Sequence, residues 1–363
     1  MTRALAFLEE SLAELDRAAA RRKRRARVAP GVLDLSSNDY LGLAGVTVQP
    51  EGTLGAGASR LVTGDRASHE TLERALAGWL GLEDTLVFSS GYAANAGTIA
   101  ALVGEGDLIV SDALNHASMI DGCRLTKART VVVPHLDAIA VDRALGATPH
   151  RRALVVTESW FSMDADTPDL VALRAICDAR GAMLLVDEAH ALGVFGPEGR
   201  GLCARVGVVP DVFVGTFGKA FGGAGAFVGG SSALLDWLWN RARSFVFSTG
   251  MSPLVADVLA GRVPIVRDAE HERRRLENLS ARVRGAIPKA WRTAGHGPIV
   301  PIIVGSNEDA LSASSALRER GFHVGAIRPP TVPPGTARLR LTLRADCDDD
   351  AIERLIAALQ ELT

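Results

Sequence analysis

Cysteine is scarce in this sequence, and the few cysteines are not grouped. They are Cys123, Cys177, Cys203 and Cys347, and no two of them have CxxC spacing. Structural zinc sites need closely spaced cysteines, and secreted domains held by disulfides need many of them. We therefore expect a reduced, cytoplasmic protein with no structural zinc site and no metal in its functional site.

Long apolar runs and an excess of either charge are also missing. No stretch of about 18 apolar residues is present, so no segment is expected to span a membrane. Glu9 and Glu10 lie where a secretion signal would need an apolar core. The net charge of −2 over 363 residues argues against a protein that binds nucleic acid through its bulk charge.

The first 40 residues predict a helix and an extended arm. Leucines recur at three- and four-residue steps, at positions 5, 8, 12 and 15, which predicts one amphipathic helix over residues 3–27. This helix would end in the basic run RRKRRAR (21–27). Such a run is compatible with a nucleic-acid or targeting patch. A solvated helix end is the favoured interpretation, because cations stabilise the unpaired carbonyls there.

From residue 41 to residue 252, short apolar runs alternate with helical patterns. The runs are 85–89, 108–111, 153–157, 183–186 and 212–215. This alternation predicts an α/β domain with a mostly parallel sheet and helices on both faces. Residues 253–363 have a different pattern, a long charged helical region (253–287) followed by short strands and helices. They predict a smaller C-terminal α+β domain.

Two short segments resemble parts of nucleotide-binding motifs, but their spacing excludes that function. The DEAH sequence (187–190) looks like a helicase box, and Gly218-Lys219 looks like the end of a phosphate-binding loop. Such a loop needs glycine at the position of Phe213, and serine or threonine at the position of Ala220. The GTLGAG segment (52–57) has the wrong glycine order for a dinucleotide fingerprint.

The spacing of Asp187, His190 and Lys219 favours covalent chemistry at the lysine amine. Asp187 ends one apolar run, and Lys219 follows the next. The carboxyl ends of parallel strands meet at one edge of a sheet, so both side chains are expected to face one crevice. An amine that bonds to an aldehyde and a carboxylate that keeps a pyridine nitrogen protonated suit pyridoxal phosphate.

The cofactor phosphate needs backbone donors, and the segment SSGYAAN (89–95) supplies them. Gly91 and Tyr92 begin a predicted helix directly after a strand. The free N–H groups at a helix N-terminus bind phosphate. Thr216 adds a hydroxyl at the same edge.

Several longer segments resemble the α-oxoamine synthases, a family of fold-type-I pyridoxal-phosphate enzymes. The resemblance covers nearly the whole chain, in order. It is carried by SSNDYLGL (36–43), GAGASRLVTG (55–64), SSGYAAN, SDALNHASMIDG (111–122), ESWFSMDAD (158–166), VDEAHALGVFGPEGRG (186–201), TFGKAFGG (216–223) and IRPPTVPPGTARLRLTL (327–343).

The resemblance implies a role for each residue that matches a family motif. Lys219 would carry the cofactor, Asp187 would contact the pyridine nitrogen, and His190 the ring hydroxyl. His116 would stack on the ring; the alternative is that it only caps a helix. The remaining cofactor contacts implied are Ser162, Thr216, Gly91, Tyr92, and Ser248 and Thr249 from the neighbouring subunit of a homodimer with shared sites.

The substrate contacts are implied in the same way. Arg328 would clamp the carboxylate of the amino acid, assisted by Asn38, and Thr331 would also contact substrate. One arginine of the run 21–27 would meet the acyl substrate, and we take Arg21.

The reaction implied is decarboxylative condensation of L-alanine with a pimeloyl thioester, carried by coenzyme A or by acyl carrier protein, in biotin biosynthesis. Sister enzymes such as glycine C-acetyltransferase, 5-aminolevulinate synthase and serine palmitoyltransferase use the same kind of site with other substrates. A non-catalytic paralogue is a further alternative, although such subunits lose the lysine. No nucleic acid or membrane partner is expected.

Overall fold

The computed structural model describes residues 5–17, 21, 28–49, 52–329 and 331–362. Its strands are β1 (Leu33–Asp34), β2 (Asp84–Phe88), β3 (Leu108–Asp112), β4 (Arg129–Val133), β5 (Ala153–Glu158), β6 (Met183–Asp187), β7 (Val212–Thr216), β8 (Ala226–Gly230), β9 (Arg292–Thr293), β10 (Ile299–Gly305), β11 (Phe322–His323), β12 (Gly325–Ile327) and β13 (Ala337–Thr342).

The helices are α1 (Phe7–Arg17), α2 (Ala67–Leu80), α3 (Gly91–Leu102), α4 (Ala117–Arg124), α5 (Ala138–Ala147), α6 (Leu170–Arg180), α7 (Leu202–Arg205), α8 (Ser232–Arg241), α9 (Arg243–Val246), α10 (Pro253–Arg267), α11 (Glu270–Gly285), α12 (Asn307–Glu319) and α13 (Asp349–Gln360).

A seven-stranded sheet in the order β2-β8-β7-β6-β5-β3-β4 forms the centre of the molecule. The strands from β7 to β4 in this order are parallel, and β8 runs antiparallel to both β7 and β2. Side chains alternate between two apolar cores: Leu184 and Val186 lie in one, and Leu185 lies in the other. Because both faces are covered, the inner strands are continuous apolar runs.

The prediction of a mostly parallel sheet with helices on both faces is confirmed. Two strands had no clear signal in the sequence. The first, β4, is partly exposed at an edge of the sheet. The second, β8, ends in two glycines, which strand-forming patterns rarely contain.

The C-terminal part of the chain contains a smaller antiparallel sheet in the order β12-β13-β10-β9. The predicted helical region 253–287 is two helices, α10 and α11, because the chain leaves helical geometry at Asp268 and Ala269. Helix α10 packs against α2, a helix of the part of the chain that contains the large sheet. The N-terminal arm joins the small part, since β1 pairs in parallel with β11. Division into residues 1–40, 41–252 and 253–363 is our proposal for the domains.

The N-terminal helix covers part of the range that the sequence pattern predicted. It is described as Phe7–Arg17, and Arg21 is not helical. The backbone N–H of Arg21 donates to the Leu15 carbonyl at 3.0 Å, and its side chain pairs with Asp16. Residues 18–20 and 22–27 of the predicted helix lie outside the described residues. Within the described ranges no helix is long and apolar enough to cross a membrane.

The loop that follows β7 depends on glycine at position 222. Gly222 has φ of +58°, and a Cβ there would lie 2.3 Å from the backbone nitrogen of Ala44. Its N–H donates to the carbonyl of Lys219 at 2.8 Å. The loop that carries Lys219 is therefore packed directly against the segment that follows Tyr40.

We expect Gly222→Ala to lower the free energy of unfolding by more than about 2 kcal/mol, because it adds a backbone clash to left-handed strain. Gly207→Ala is the matched control, since Gly207 has φ of +70° and no atom within 4 Å of the added Cβ. The control should cost only about 1 kcal/mol. Urea unfolding of both variants measures the difference, and equal losses would contradict the packing described.

Candidate active site

The carboxyl edge of the large sheet brings polar side chains from neighbouring strands together. Glu158 and Asp187 are the last residues of β5 and β6, and the strand register sets them side by side. Thr216 ends β7, and Lys219 lies three residues further on. The expectation that Asp187 and Lys219 face one crevice is consistent with this edge, because the charge of Asp187 acts on the Lys219 amine.

Asp187 is held by an amide from helix α3. Its Oδ2 accepts a hydrogen bond of 2.6 Å from Asn95 Nδ2, and its Oδ1 accepts the Ala189 N–H at 2.8 Å. Asn95 Nδ2 also donates to Ser118 Oγ at 3.0 Å. These contacts fix the carboxylate at the floor of the crevice. Sequence analysis missed Asn95, although a buried amide in the otherwise small and apolar stretch YAAN was a usable signal.

The amine of Lys219 has no hydrogen bond or ion pair with any described residue, although the side chain is half-buried. Burial lowers the pKa of Lys219 to about 8; Arg340 adds to this effect, and the charges of Asp187 and Glu158 oppose it. An amine with a lowered pKa is partly neutral near pH 7 and is then a nucleophile and a base.

His116 is both a helix cap and a crevice residue. Its Nδ1 accepts the Ser118 N–H at 3.2 Å and lies 2.8 Å from Ser118 Oγ, so the helix-cap interpretation is correct as far as it goes. Its own backbone N–H donates to Glu158 Oε1 at 2.7 Å. Burial, opposed by Asp187 and aided by Lys219, lowers the pKa of His116. The ring is therefore neutral, and these contacts leave its face open.

His190 is buried and is held by a tyrosine that sequence analysis did not select. Its Nδ1 lies 2.7 Å from Tyr40 Oη, and the Trp160 ring lies at an angle of 77° to the imidazole. Burial, together with the charges of Lys219 and Arg340, lowers the pKa of His190 well below its usual value. Burial likewise raises the pKa of Tyr40. Both groups are neutral, so this wall of the crevice offers hydrogen bonds without charge.

The predicted phosphate cradle lies at the start of α3. Gly91 is the first residue of the helix, and Ser90 caps it by accepting the Ala93 N–H at 3.1 Å. Thr216 is adjacent, since a Cβ on Gly91 would lie 3.8 Å from Thr216 Oγ1. That hydroxyl donates to the Gly225 carbonyl and accepts the Gly218 N–H. The N–H groups at the start of α3, the positive end of the helix dipole and the Thr216 hydroxyl therefore lie together, and such a place stabilises a bound anion.

Three further cofactor residues from the sequence analysis lie at the margins of this cradle. The hydroxyl of Tyr92 is hydrogen-bonded to Asp121, and its ring is half exposed. Ser248 and Thr249 lie beyond α9 and line a small cavity of this chain together with Ser89. Their contact with a neighbouring subunit stays a prediction.

A buried arginine that sequence analysis missed lies beside the predicted substrate residues. Arg340 donates to the Ser162 carbonyl at 2.7 Å and to Asn38 Oδ1 at 3.0 Å. We expected Asn38 to assist Arg328, so the structure pairs Asn38 with a different cation. The signal was present, because Arg340 lies in the ARLRLTL part of a motif quoted for the family.

The other predicted substrate residues lie after β12 and beside the N-terminal helix. Arg328 follows β12 and is half-buried, and its carbonyl accepts the Thr331 N–H at 3.1 Å. Arg21 pairs with Asp16 at 2.6 Å on the N-terminal helix, and its contact with an acyl substrate stays a prediction.

The crevice fits pyridoxal phosphate on its own chemistry. It combines an amine without a partner among the described residues, a fixed carboxylate, neutral imidazoles and a helix N-terminus next to a hydroxyl. The structure shows no cluster of metal-ligating side chains in the part of the chain that it describes.

Comparison with known proteins agrees with this chemistry. The profile of class I and II aminotransferases matches residues 30–359. The chain is 44% identical to 8-amino-7-oxononanoate synthase 1 of Polaromonas, over 97% of this chain and 94% of that protein. It is 48% identical to the 8-amino-7-oxononanoate synthase of Mycolicibacterium smegmatis, over 90% and 89%.

Solved structures of similar fold are also pyridoxal-phosphate enzymes. Serine palmitoyltransferase of Sphingomonas wittichii superposes with a TM-score of 0.91 at 30% identity, covering 99% of this chain and 97% of that one. Another serine palmitoyltransferase structure, which contains pyridoxal phosphate, has a TM-score of 0.89 at 28% identity over the same shares. The chain therefore belongs to the class I and II aminotransferase family of pyridoxal-phosphate enzymes, as its α-oxoamine synthase motifs predicted.

Proposed function

We propose that this protein condenses L-alanine with a pimeloyl thioester to give 8-amino-7-oxononanoate, carbon dioxide and a free thiol, the step that builds the carbon skeleton of biotin. The observation that carries the proposal is the Lys219 amine, which has a lowered pKa and no partner among the described residues. Relatives of 43–48% identity with the same name over most of the chain support the choice of substrates.

We base the proposed cofactor contacts on the geometry of the crevice together with the roles that the family motifs imply. Pyridoxal phosphate, when bound, supplies a cationic ring that withdraws the electron pair left on the amino-acid Cα. Lys219 would anchor it covalently, and Asp187, held by Asn95, would keep its nitrogen protonated. The N–H groups at Gly91 and the Thr216 hydroxyl would hold the phosphate. Ser162 and His190 would contact the ring hydroxyl, and His116 would stack on the ring, as the family motifs imply.

Lys219 also moves the proton in this proposal. Once released by the incoming amino acid, an amine of pKa about 8 is an effective base near neutral pH, and it removes the Cα proton. The lowered pKa of His116 and the lowered pKa of His190 make both imidazoles weaker bases than this amine. The same amine returns the proton after carbon dioxide has left.

The amino-acid carboxylate needs a cation, and two arginines are available. We propose that Arg328 and Arg340 share this role with Asn38 and Thr331. Arg340 is 6% exposed and presents a planar guanidinium beside Ser162 and Asn38. Guanidinium groups bind carboxylates through two parallel hydrogen bonds. We propose Arg21 for the acyl substrate, and Ser248 and Thr249 for the partner subunit of a homodimer.

Sister reactions are the principal alternative. Two serine palmitoyltransferases among the similar solved structures are 28–30% identical to this chain, whereas curated 8-amino-7-oxononanoate synthases reach 48%. A glycine C-acetyltransferase or 5-aminolevulinate synthase differs again only in its two substrates. A non-catalytic paralogue is disfavoured because Lys219, Asp187 and His116 are all present. Coenzyme A and acyl carrier protein are both compatible as the acyl carrier, and we propose a cytoplasmic location.

The function is tested by a turnover panel. Alanine, glycine and serine are each paired with pimeloyl, acetyl, succinyl and palmitoyl thioesters, on coenzyme A and on acyl carrier protein. We expect alanine with a pimeloyl thioester to have the highest kcat/KM. A higher kcat/KM for serine with palmitoyl thioester, or for glycine with acetyl thioester, would overturn the proposal.

The chemistry of Lys219 is testable without any substrate. The chain has four lysines, Lys23, Lys127, Lys219 and Lys289. With a pKa of about 8, the Lys219 amine is neutral in about one molecule in ten at pH 7, against fewer than about one in 10³ for an ordinary lysine.

Limited acetylation of the cofactor-free protein, followed by peptide mapping, should therefore modify Lys219 before the exposed Lys127 at pH 7. The preference should disappear as the pH approaches 10. Borohydride reduction with pyridoxal phosphate should label position 219, and Lys219→Ala should lower turnover by at least about 10²-fold, while Lys127→Ala should not. Equal reactivity of the two lysines at pH 7 would contradict the lowered pKa.

Matched substitutions distinguish the role of Arg340 from the role of Arg328. Arg340→Lys keeps the charge but loses the fork that reaches Ser162 and Asn38. We expect it to raise the KM for alanine and lower kcat together, by about tenfold or more in kcat/KM. Arg328→Lys is the comparison. If only Arg328→Lys changes the alanine kinetics, Arg340 has a structural role alone.

A further inference from the structure

A histidine outside the proposed site lies between two carboxylates from different parts of the fold. His135 Nδ1 is 2.8 Å from Asp112 Oδ1, and its Nε2 is 3.2 Å from Asp166 Oδ2. The side chain is 20% exposed, and its ring meets the edge of Phe161. Two acceptors on one imidazole require a proton on each ring nitrogen.

The state of the carboxylates supports a doubly protonated ring. Asp112 also accepts the N–H groups of Leu114 and Leu136, at 2.8 and 2.9 Å, so its oxygens act only as acceptors. Each ring nitrogen of His135 therefore donates to a carboxylate oxygen, and the imidazole is a cation between two carboxylates.

Asp166 closes the segment 160–166, which carries residues of the proposed site. Its carbonyl accepts the Phe161 N–H at 2.9 Å, and the Phe161 carbonyl accepts the Ala165 N–H at 2.8 Å. Ala165 has φ of +57°, which costs a non-glycine residue about 1–2 kcal/mol of strain. A segment in this conformation needs contacts from outside to stay in place.

Those contacts come from both sheets. On the side of the small sheet, Arg338 donates to Asp164 at 2.6 Å and to the Met163 carbonyl at 3.0 Å. On the side of the large sheet, Asp166 meets His135, which is anchored to the end of β3 through Asp112. Removing the His135 charge leaves Asp112 and Asp166 without a cation between them.

We propose that His135 is a positioning residue whose positive charge, fixed between Asp112 and Asp166, holds the segment 160–166 and thereby orients Ser162 and the Trp160 ring behind His190. The link to cofactor binding rests on the proposed function of Ser162 and His190. The protonation of His135 and the order of the segment do not.

The geometry implies a wide pH range for this cation. Burial opposes protonation, but the hydrogen bonds and charges of Asp112 and Asp166 outweigh it and raise the pKa of His135 to about 10. Two further titratable groups interact with these carboxylates by charge: Glu158 with Asp112, and His296 with Asp166.

The sign of the pH effect follows from a folded-state pKa above the unfolded value of about 6.5. The stabilisation of the folded state by the His135 cation is complete below pH 6.5, and it is lost as the pH rises from there to about 10. This loss should loosen the segment 160–166 before the whole protein unfolds.

Nuclear magnetic resonance of the histidine rings tests the charge directly. Full-length protein labelled in histidine is titrated from pH 5.5 to pH 10.5, and His135→Gln assigns the resonance. We expect His135 to stay protonated to near pH 10, and the resonance of the exposed His271 serves as the comparison. A His135 pKa at or below 7 overturns the proposal.

Amide hydrogen exchange tests the positioning role. In His135→Gln, exchange over residues 160–166 should accelerate at pH 7 while β2 stays protected, and the Kd for pyridoxal phosphate should rise several-fold. His150→Gln is the matched control, because His150 hydrogen-bonds to the Thr148 carbonyl and forms no ion pair with any described residue. Asp166→Asn should loosen the same segment, and the double variant should add little.

Wild-type exchange over residues 160–166 in His135→Gln would overturn the positioning role. If the protein turns over neither alanine nor pimeloyl thioester but His135 behaves as stated, the proposed function fails and this inference stands. If turnover is as proposed but the pKa of His135 is at or below 7, the inference about His135 fails and the proposed function stands.

Discussion

The carboxylate of Asp187 is the group on which the geometry of the crevice depends. It ends a buried strand, and Asn95 and the Ala189 N–H hold its two oxygens. Burying a carboxylate is costly unless hydrogen bonds replace its water. Asn95 provides that replacement from α3, the helix whose N-terminus forms the phosphate cradle. One amide therefore ties the proposed pyridine contact to the proposed phosphate contact, and a shift of α3 displaces both.

A second carboxyl, Glu158, lies beside Asp187 on the neighbouring strand. Burial and the charge of Asp187 raise the pKa of Glu158 to about 8, with Lys219 acting in the opposite direction. Like charges this close cannot both ionise cheaply. With a pKa of about 8, Glu158 is mostly protonated near neutral pH, and its Oε1 accepts the His116 N–H. The strand register sets the two carboxyl groups side by side.

Much of the fold and the chemical core of the site followed from the sequence, because both rest on local patterns. The alternation of apolar runs and helices placed Asp187 and Lys219 at one edge without knowledge of any contact. Three features did not follow. The antiparallel β8 depends on pairing across the sheet, Tyr40 meets His190 across 150 positions, and Asn38 pairs with Arg340 across 302. Long-range contacts of this kind leave no local pattern to detect.

The segment 160–166 shows where the two sheets meet to form the site. Arg338 and Arg340 donate to it from β13, while His135 and Asp112 hold its other end at the large sheet. Because the segment 160–166 is bound to both sheets, a change in their relative position would shift it. Ser162 and the Trp160 ring behind His190 would move with it, together with Asn38 through Arg340.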